Sequence, residues 1–151
     1  MFGGQGRLYE CLQQHNVDYV VIGGVAAIIH GVPRTTLDID LLIAANEINA
    51  RALLLALLDA GLGTATLTDA ADILAHEVTI FRDRIRVDVQ TRTPGIDFEQ
   101  ARSRALVLDV DGVKIPVLSI ADLLASKEAA NRPKDQQDLV VLRRLVARDA
   151  I

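Results

Sequence analysis

Residues 34–45 read RTTLDIDLLIAA. Leu37, Ile39, Leu41, Leu42 and Ile43 make the stretch a β-strand over about 35–44, but Asp38 and Asp40 stand inside it, and strand interiors are depleted in aspartate. Successive side chains of a strand point to opposite faces, with i and i+2 roughly 6.6–7 Å apart. Thr36, Asp38 and Asp40 therefore share one face, and Leu37, Ile39 and Leu41 share the other. Either this is an edge strand with a solvated polar face, or one face is core and the other a site that uses carboxylates.

The chain around this strand is of ordinary domain size, 151 residues with 50% apolar and only 3% aromatic content. Its core must be built of Leu, Ile, Val and Ala, which suits helices packed on a sheet. The longest apolar run, VVIGGVAAII (20–29), is too short to cross a bilayer, and no basic patch followed by an apolar run opens the chain. Neither a membrane anchor nor a signal peptide is expected. A lone cysteine, Cys11, forms no internal disulfide and points to a reducing compartment, the cytoplasm by default. The net charge of −4 disfavours wholesale wrapping of nucleic acid. Residues 1–81 hold three basic against nine acidic side chains, and residues 82–151 thirteen against eleven. That asymmetry suits a site with cations on one wall and phosphates on the other, or merely solvated surfaces.

Working outward, VDYVVIGG (17–24) reads as a strand ended by two glycines and VAAIIHG (25–31) as a short helix. Residues 46–60 read as a helix with Asn46 as N-cap, apolar nearly all round and so expected to be buried. HEVTIF (76–81) and IRVDVQT (85–91) read as two strands, and a short helical piece follows near 97–102. Residues 105–119 read as a hairpin turning at Asp111-Gly112. Helices over 120–131, capped by Ser119, and 134–148 close the chain. The expectation is one α+β domain over 1–151 with a mixed sheet, a core of about 17–91 and a C-terminal hairpin and helix pair over 105–148.

The later strand repeats the aspartate device: Arg86, Asp88 and Gln90 share one face, and Ile85, Val87 and Val89 the other. If the two strands are neighbours, Asp88 joins Asp38 and Asp40. Like charges about 4 Å apart repel by roughly 4 kcal/mol at an effective dielectric near 20, so such a cluster needs a cation. Hard oxygen donors with open positions match Mg²⁺ shared with substrate phosphates. Gly23 and Gly24 lie between a strand and a helix, where backbone N–H groups attract phosphate. A dinucleotide-binding reading fails, because GGVAAI is not G-x-G-x-x-G and the acids open the second strand instead of ending it.

Gly-Gly, then D-x-D on the next strand, then a third acid on a later strand resembles the nucleotidyltransferase superfamily related to DNA polymerase β. GVPRTTLDIDLLI and KEAANRPKDQQDL (127–139) are further similar to AbiEii-like and MenT-like nucleotidyltransferases, the toxin halves of certain toxin–antitoxin pairs. The likeness spans about 20–140. It implies metal-dependent transfer of a nucleoside monophosphate from an NTP to an acceptor hydroxyl, with release of pyrophosphate. Mg²⁺, as two ions, or Mn²⁺ would be held by Asp38, Asp40 and Asp88, with Asp88 as base. Gly23 and Gly24 would seat the triphosphate, Lys127 and Arg34 would reach its phosphates, and Thr36 would support the metal shell. The acceptor stays open among tRNA or other RNA, a protein hydroxyl and a small molecule, and a cognate antitoxin is a further expected partner. A catalytically silent nucleotide- or partner-binding module of the same fold is the alternative.

Other residues read more plainly. Lys134, Asp135 and Asp138 fit a salt bridge within one helix, with a role in the site as the alternative. His15, His30 and His76 are scattered capping or surface residues. Arg82, Arg84, Arg86, Arg92, Arg102 and Arg104 are solvated charges or a basic rim for RNA.

Overall fold

A computed structural model describes residues 5–149. Its strands form one six-stranded mixed sheet, and the order of elements is α1 (Gly6–Gln14), β1 (Tyr19–Ile22), α2 (Gly23–Ile29), β2 (Asp38–Ile43), α3 (Glu47–Asp59), α4 (Ala70–Ala75), β3 (Val78–Arg82), β4 (Arg86–Gln90), α5 (Phe98–Arg104), β5 (Leu106–Val110), β6 (Val113–Val117), α6 (Ile120–Ala130) and α7 (Gln136–Asp149). Short 3₁₀ segments cover Gly63–Leu67 and Pro133–Asp135. Across the sheet the strands run β3-β4-β2-β1-β6-β5. β1 is antiparallel to β2 and parallel to β6, and β2 is parallel to β4. The α+β class and the mixed sheet are as the sequence implied.

Local chemistry accounts for the ends of the elements. The Asn46 side chain accepts from the Asn49 N–H at the start of α3, and Ser119 accepts from the Asp122 N–H at the start of α6. Asp111 and Gly112 both take positive φ, 53° and 86°, which lets a two-residue loop follow the twist of β5 and β6. α4 was not foreseen, although Asp69 and Asp72 cap it reciprocally and D-x-x-D ahead of an apolar residue is a legible signal.

Three expectations are corrected. The Asp-bearing strand begins at Asp38, and Leu37 is 88% exposed rather than core, because it precedes the first paired residue of β2. β1 ends at Ile22, right before the two glycines, but these already form the first turn of α2, which starts at Gly23 instead of Val25. α3 is not buried all round: Ala50, Leu53, Ala56 and Leu57 face the core, while Ile48 (84% exposed), Leu55 and Leu58 face outward. A helix packed from one side buries one stripe whatever its outer face is made of.

The core lies on the face of β2 and β4 formed by Ile39, Leu41, Val87 and Val89, all essentially inaccessible. β1, in the middle of the sheet, is buried along its whole length. On the other face of β2, Leu42 is also buried, so that face opens only at the N-terminal end of the strand, where Asp38 and Asp40 stand.

Candidate active site

The parallel register of β2 and β4 sets Asp40 directly opposite Asp88 and Asp38 opposite Arg86. Adjacent strands lie about 4.8 Å apart, so three carboxylates share one small patch, and the i/i+2 reading of both strands holds. Asp40 is half-buried. Burial, then the charges of Asp88 and Asp38, push its carboxyl up to about 6, against a smaller opposing pull from Lys134 and Arg86.

Arg86, which the strand period puts on the same face as Asp88, is neither a solvated charge nor merely a rim residue but pairs within this patch. Its Nε donates to Asp88 Oδ1 at 2.9 Å and its Nη2 donates to Asp88 Oδ2 at 3.1 Å. The same Nε lies 3.8 Å from Asp38 Oδ1. This two-pronged, charge-assisted pairing is the strong form of the interaction, and the hydrogen bond to Asp88 raises the guanidinium's pKa further. The signal available was an arginine two residues before an acid on one strand face.

Gly23 and Gly24 complete the same corner. Ile22 pairs with Asp40 across the β1–β2 ladder, which brings the next residue against the Asp40 side chain. Gly23 has φ +66°, and a Cβ there would collide with the Asp40 carboxylate. A Cβ on Gly24 would stand 3.1 Å from Thr36 Oγ1. Gly23 is thus required by the close approach of α2 to Asp40, a reason independent of any phosphate, and Gly24 is packed tightly against the Thr36 side chain. Thr36 lies just outside β2, and its Oγ1 accepts a long hydrogen bond, 3.4 Å, from the Asp38 N–H.

Facing the carboxylates is a wall of cations tied to two buried acids. Lys127, in the last turn of α6, is 5% exposed, with Nζ 3.4 Å from Asp135 Oδ1 and 3.2 Å from Asp138 Oδ2. Asp138 also accepts from Arg34 Nη1 at 2.7 Å, and Asp135 accepts from Arg132 Nε and Nη2 at 2.8 and 3.2 Å. Burial pushes the Asp135 carboxyl up, but the Arg132 hydrogen bond and the Lys127 and Arg132 charges outweigh it and hold it below the ordinary carboxylate range. Asp135 and Asp138, at 2% and 3% exposure, are therefore not partners of Lys134 within one helix. They tie α6, α7 and the segment before β2 together. Sequence spacing missed this because the partners lie far apart in the chain.

Gly23, Gly24, Arg34, Thr36, Asp38, Asp40, Asp88 and Lys127 all line one cavity of about 440 Å³. Of the six arginines set out as a basic rim, Arg86 and Arg92 line it; Arg104 pairs with Asp122 on another part of the surface and Arg84 lies against Gly61. The histidines stay outside the cavity: His15 bonds Asp59, His30 bonds the Leu118 carbonyl and His76 the Asp72 carbonyl. Among the described residues no three His, Cys, Asp or Glu side chains are grouped to enclose a metal ion by themselves. The donors that are present fit a hard divalent ion on Asp38 and Asp40, whose oxygens leave positions for phosphate. Both oxygens of Asp88 are taken by Arg86. No described helix is long and apolar enough to cross a membrane.

The sequence model of a family described as nucleotidyltransferase of unknown function (DUF6036) matches residues 7–145. Among solved structures, the crystal structure of a candidate nucleotidyltransferase from Thermotoga maritima is similar, with 19% sequence identity and a TM-score of 0.51 over 94% of this chain and 89% of that one. That likeness carries the α+β fold. No curated protein matches the chain.

Proposed function

The chain belongs to that family of nucleotidyltransferases of unknown function (DUF6036), and from this premise we propose that it is a metal-dependent enzyme moving a nucleoside monophosphate from an NTP to an acceptor hydroxyl. The observation that carries the reading is the parallel register that sets Asp40 against Asp88 beside Asp38, in the cavity that Lys127 and Gly23 also line. Asp38 and Asp40 hold a divalent ion, Mg²⁺ or Mn²⁺. When bound, the ion offsets phosphate charge and favours in-line displacement at the α-phosphorus.

The protein's own groups do the positioning. The backbone of Gly23 and Gly24, free of side chains, admits the triphosphate at the corner of the cavity. Lys127 and Arg34, held in place by Asp138, meet its outer phosphates, and Thr36 steadies the Asp38 backbone. The acceptor oxygen bonds to the α-phosphorus, the bond to the bridging oxygen breaks, and pyrophosphate leaves. The hydroxyl proton passes to a carboxylate of the face, Asp88 in the reading that the resemblance supports. Most of the rate gain comes from orientation and charge.

GVPRTTLDIDLLI and KEAANRPKDQQDL support a place among the AbiEii- and MenT-like enzymes, and with it a toxin-like role and a cognate antitoxin as partner. The acceptor is RNA, a protein hydroxyl or a small molecule. Label transfer from each of the four α-³²P-NTPs, with Mg²⁺, into total RNA and total protein tests the reading beside Asp38→Ala/Asp40→Ala. Label entering one pool with the wild type alone is the expected result and names nucleotide and acceptor class together. If neither pool is labelled and small hydroxyl compounds fail as acceptors, the reading falls to the silent binding module.

A further inference from the structure

Arg86 has no part in the transfer chemistry above, yet it is the most closely engaged cation on the carboxylate face. It opens β4 opposite Asp38 and two residues before Asp88. Its fork satisfies both oxygens of Asp88, and its Nε lies 3.8 Å from Asp38. No hydrogen bond joins it to Asp40 among the described contacts, so the D-x-D pair stays open to the cavity while Asp88 is already engaged.

We propose that Arg86 occupies the second-cation position of this face, so that the chain binds one divalent ion, on Asp38 and Asp40, and supplies the other positive charge itself. This rests on the metal-dependent reading of the site. Charge balance favours it: three carboxylates are matched by one divalent ion and one guanidinium, whereas two divalent ions beside Arg86 leave the face strongly positive before any phosphate arrives. Geometry favours it as well. A second ion on Asp88 has to compete for oxygens that already accept two charge-assisted hydrogen bonds and to sit against a guanidinium that cannot lose its proton. A lysine at this position keeps the charge but loses the fork.

The number of bound ions reads this out without activity. The full chain is titrated with Mn²⁺ alone, and free ion is counted by electron paramagnetic resonance for wild type, Arg86→Met, Arg86→Lys and Asp38→Asn/Asp40→Asn. One ion on the wild type is expected, with a second on Arg86→Met that binds about tenfold or more tighter than any second ion on the wild type. Arg86→Lys stays at one, and the double Asn variant loses the wild-type ion. Equal number and affinity in wild type and Arg86→Met overturns the Arg86 assignment alone, and so does a loss of thermal stability in both Arg86 variants with unchanged ion counts. If no chain binds Mn²⁺, the metal reading of the site fails and takes this assignment with it.

Discussion

The two walls of the cavity are both rich in charge and both partly or wholly buried, but they are built on opposite electrostatic plans. On β2 and β4 three carboxylates face one guanidinium, and Asp40 is left with a carboxyl pushed up to about 6. On α7 and the 3₁₀ segment before it two carboxylates face Lys127, Arg34 and Arg132, and the Asp135 carboxyl is held low. The first wall is short of positive charge and gains by receiving a cation. The second holds one cation more than it has acids and serves to fix its cations at set positions. What separates the two clusters is thus the sign of the charge left in excess, acid on the first wall and base on the second, not how many charges each has.

The comparison is broken most severely at the clamp. Lys127→Met leaves Asp135 and Asp138 buried with only their arginines, and is expected to cost about 3 kcal/mol, measured by urea unfolding. A loss too small to measure would mean that water or rearranged arginines replace the lysine, and the wall would not be a clamp.

At the other wall the sign reverses. In metal-free protein Asp40→Asn is expected to stabilise by about 2 kcal/mol at pH 7–8. Because the folded carboxyl titrates at about 6, above its unfolded value of about 3.9, its contribution to stability is fully present below that unfolded value and is lost as pH rises through about 6. The gain from the asparagine should therefore shrink as pH falls and vanish near pH 4, which paired urea curves across pH 4–8 would show. A gain that is constant with pH would place its cause outside this titration.

The smallest effect sharpens the contrast. The Mg²⁺ complex of the NTP used by the enzyme, at tenfold its Kd, should stabilise wild type by about 1.4 kcal/mol and leave Asp38→Ala/Asp40→Ala unmoved, read as a shift in Tm. A shift of equal size in both would mean that nucleotide binds without the carboxylate face.

Much of this was legible residue by residue. The alternation in DIDLLI and RVDVQ assigned faces to every side chain it covered, and Asn46, Ser119 and Asp111-Gly112 marked their caps and turn. Leu37 and the outer side of α3 were misread because composition reports how apolar a segment is, not how many of its sides meet neighbours. Arg86 read as a solvated or RNA-rim charge although Asp88, its main partner, stands two residues along the same strand face; only Asp38 is brought to it by the strand beside it. Asp138 read as a partner of Lys134 because spacing along one helix was the only geometry in view. Gly23 was read through phosphate alone, although the approach of Asp40 already requires it.

The sequence by itself determined which residues stand together on a face, because the two-residue period of a strand is a property of its own backbone. It thereby determined that Asp38 and Asp40 look into the same space. Only the tertiary structure decided how the charges pair: Asp40 against Asp88, Arg86 across Asp88 and Asp38, and Lys127 between Asp135 and Asp138. Charge pairing depends on register and packing between distant segments, and those distances are fixed only when the whole core closes around them.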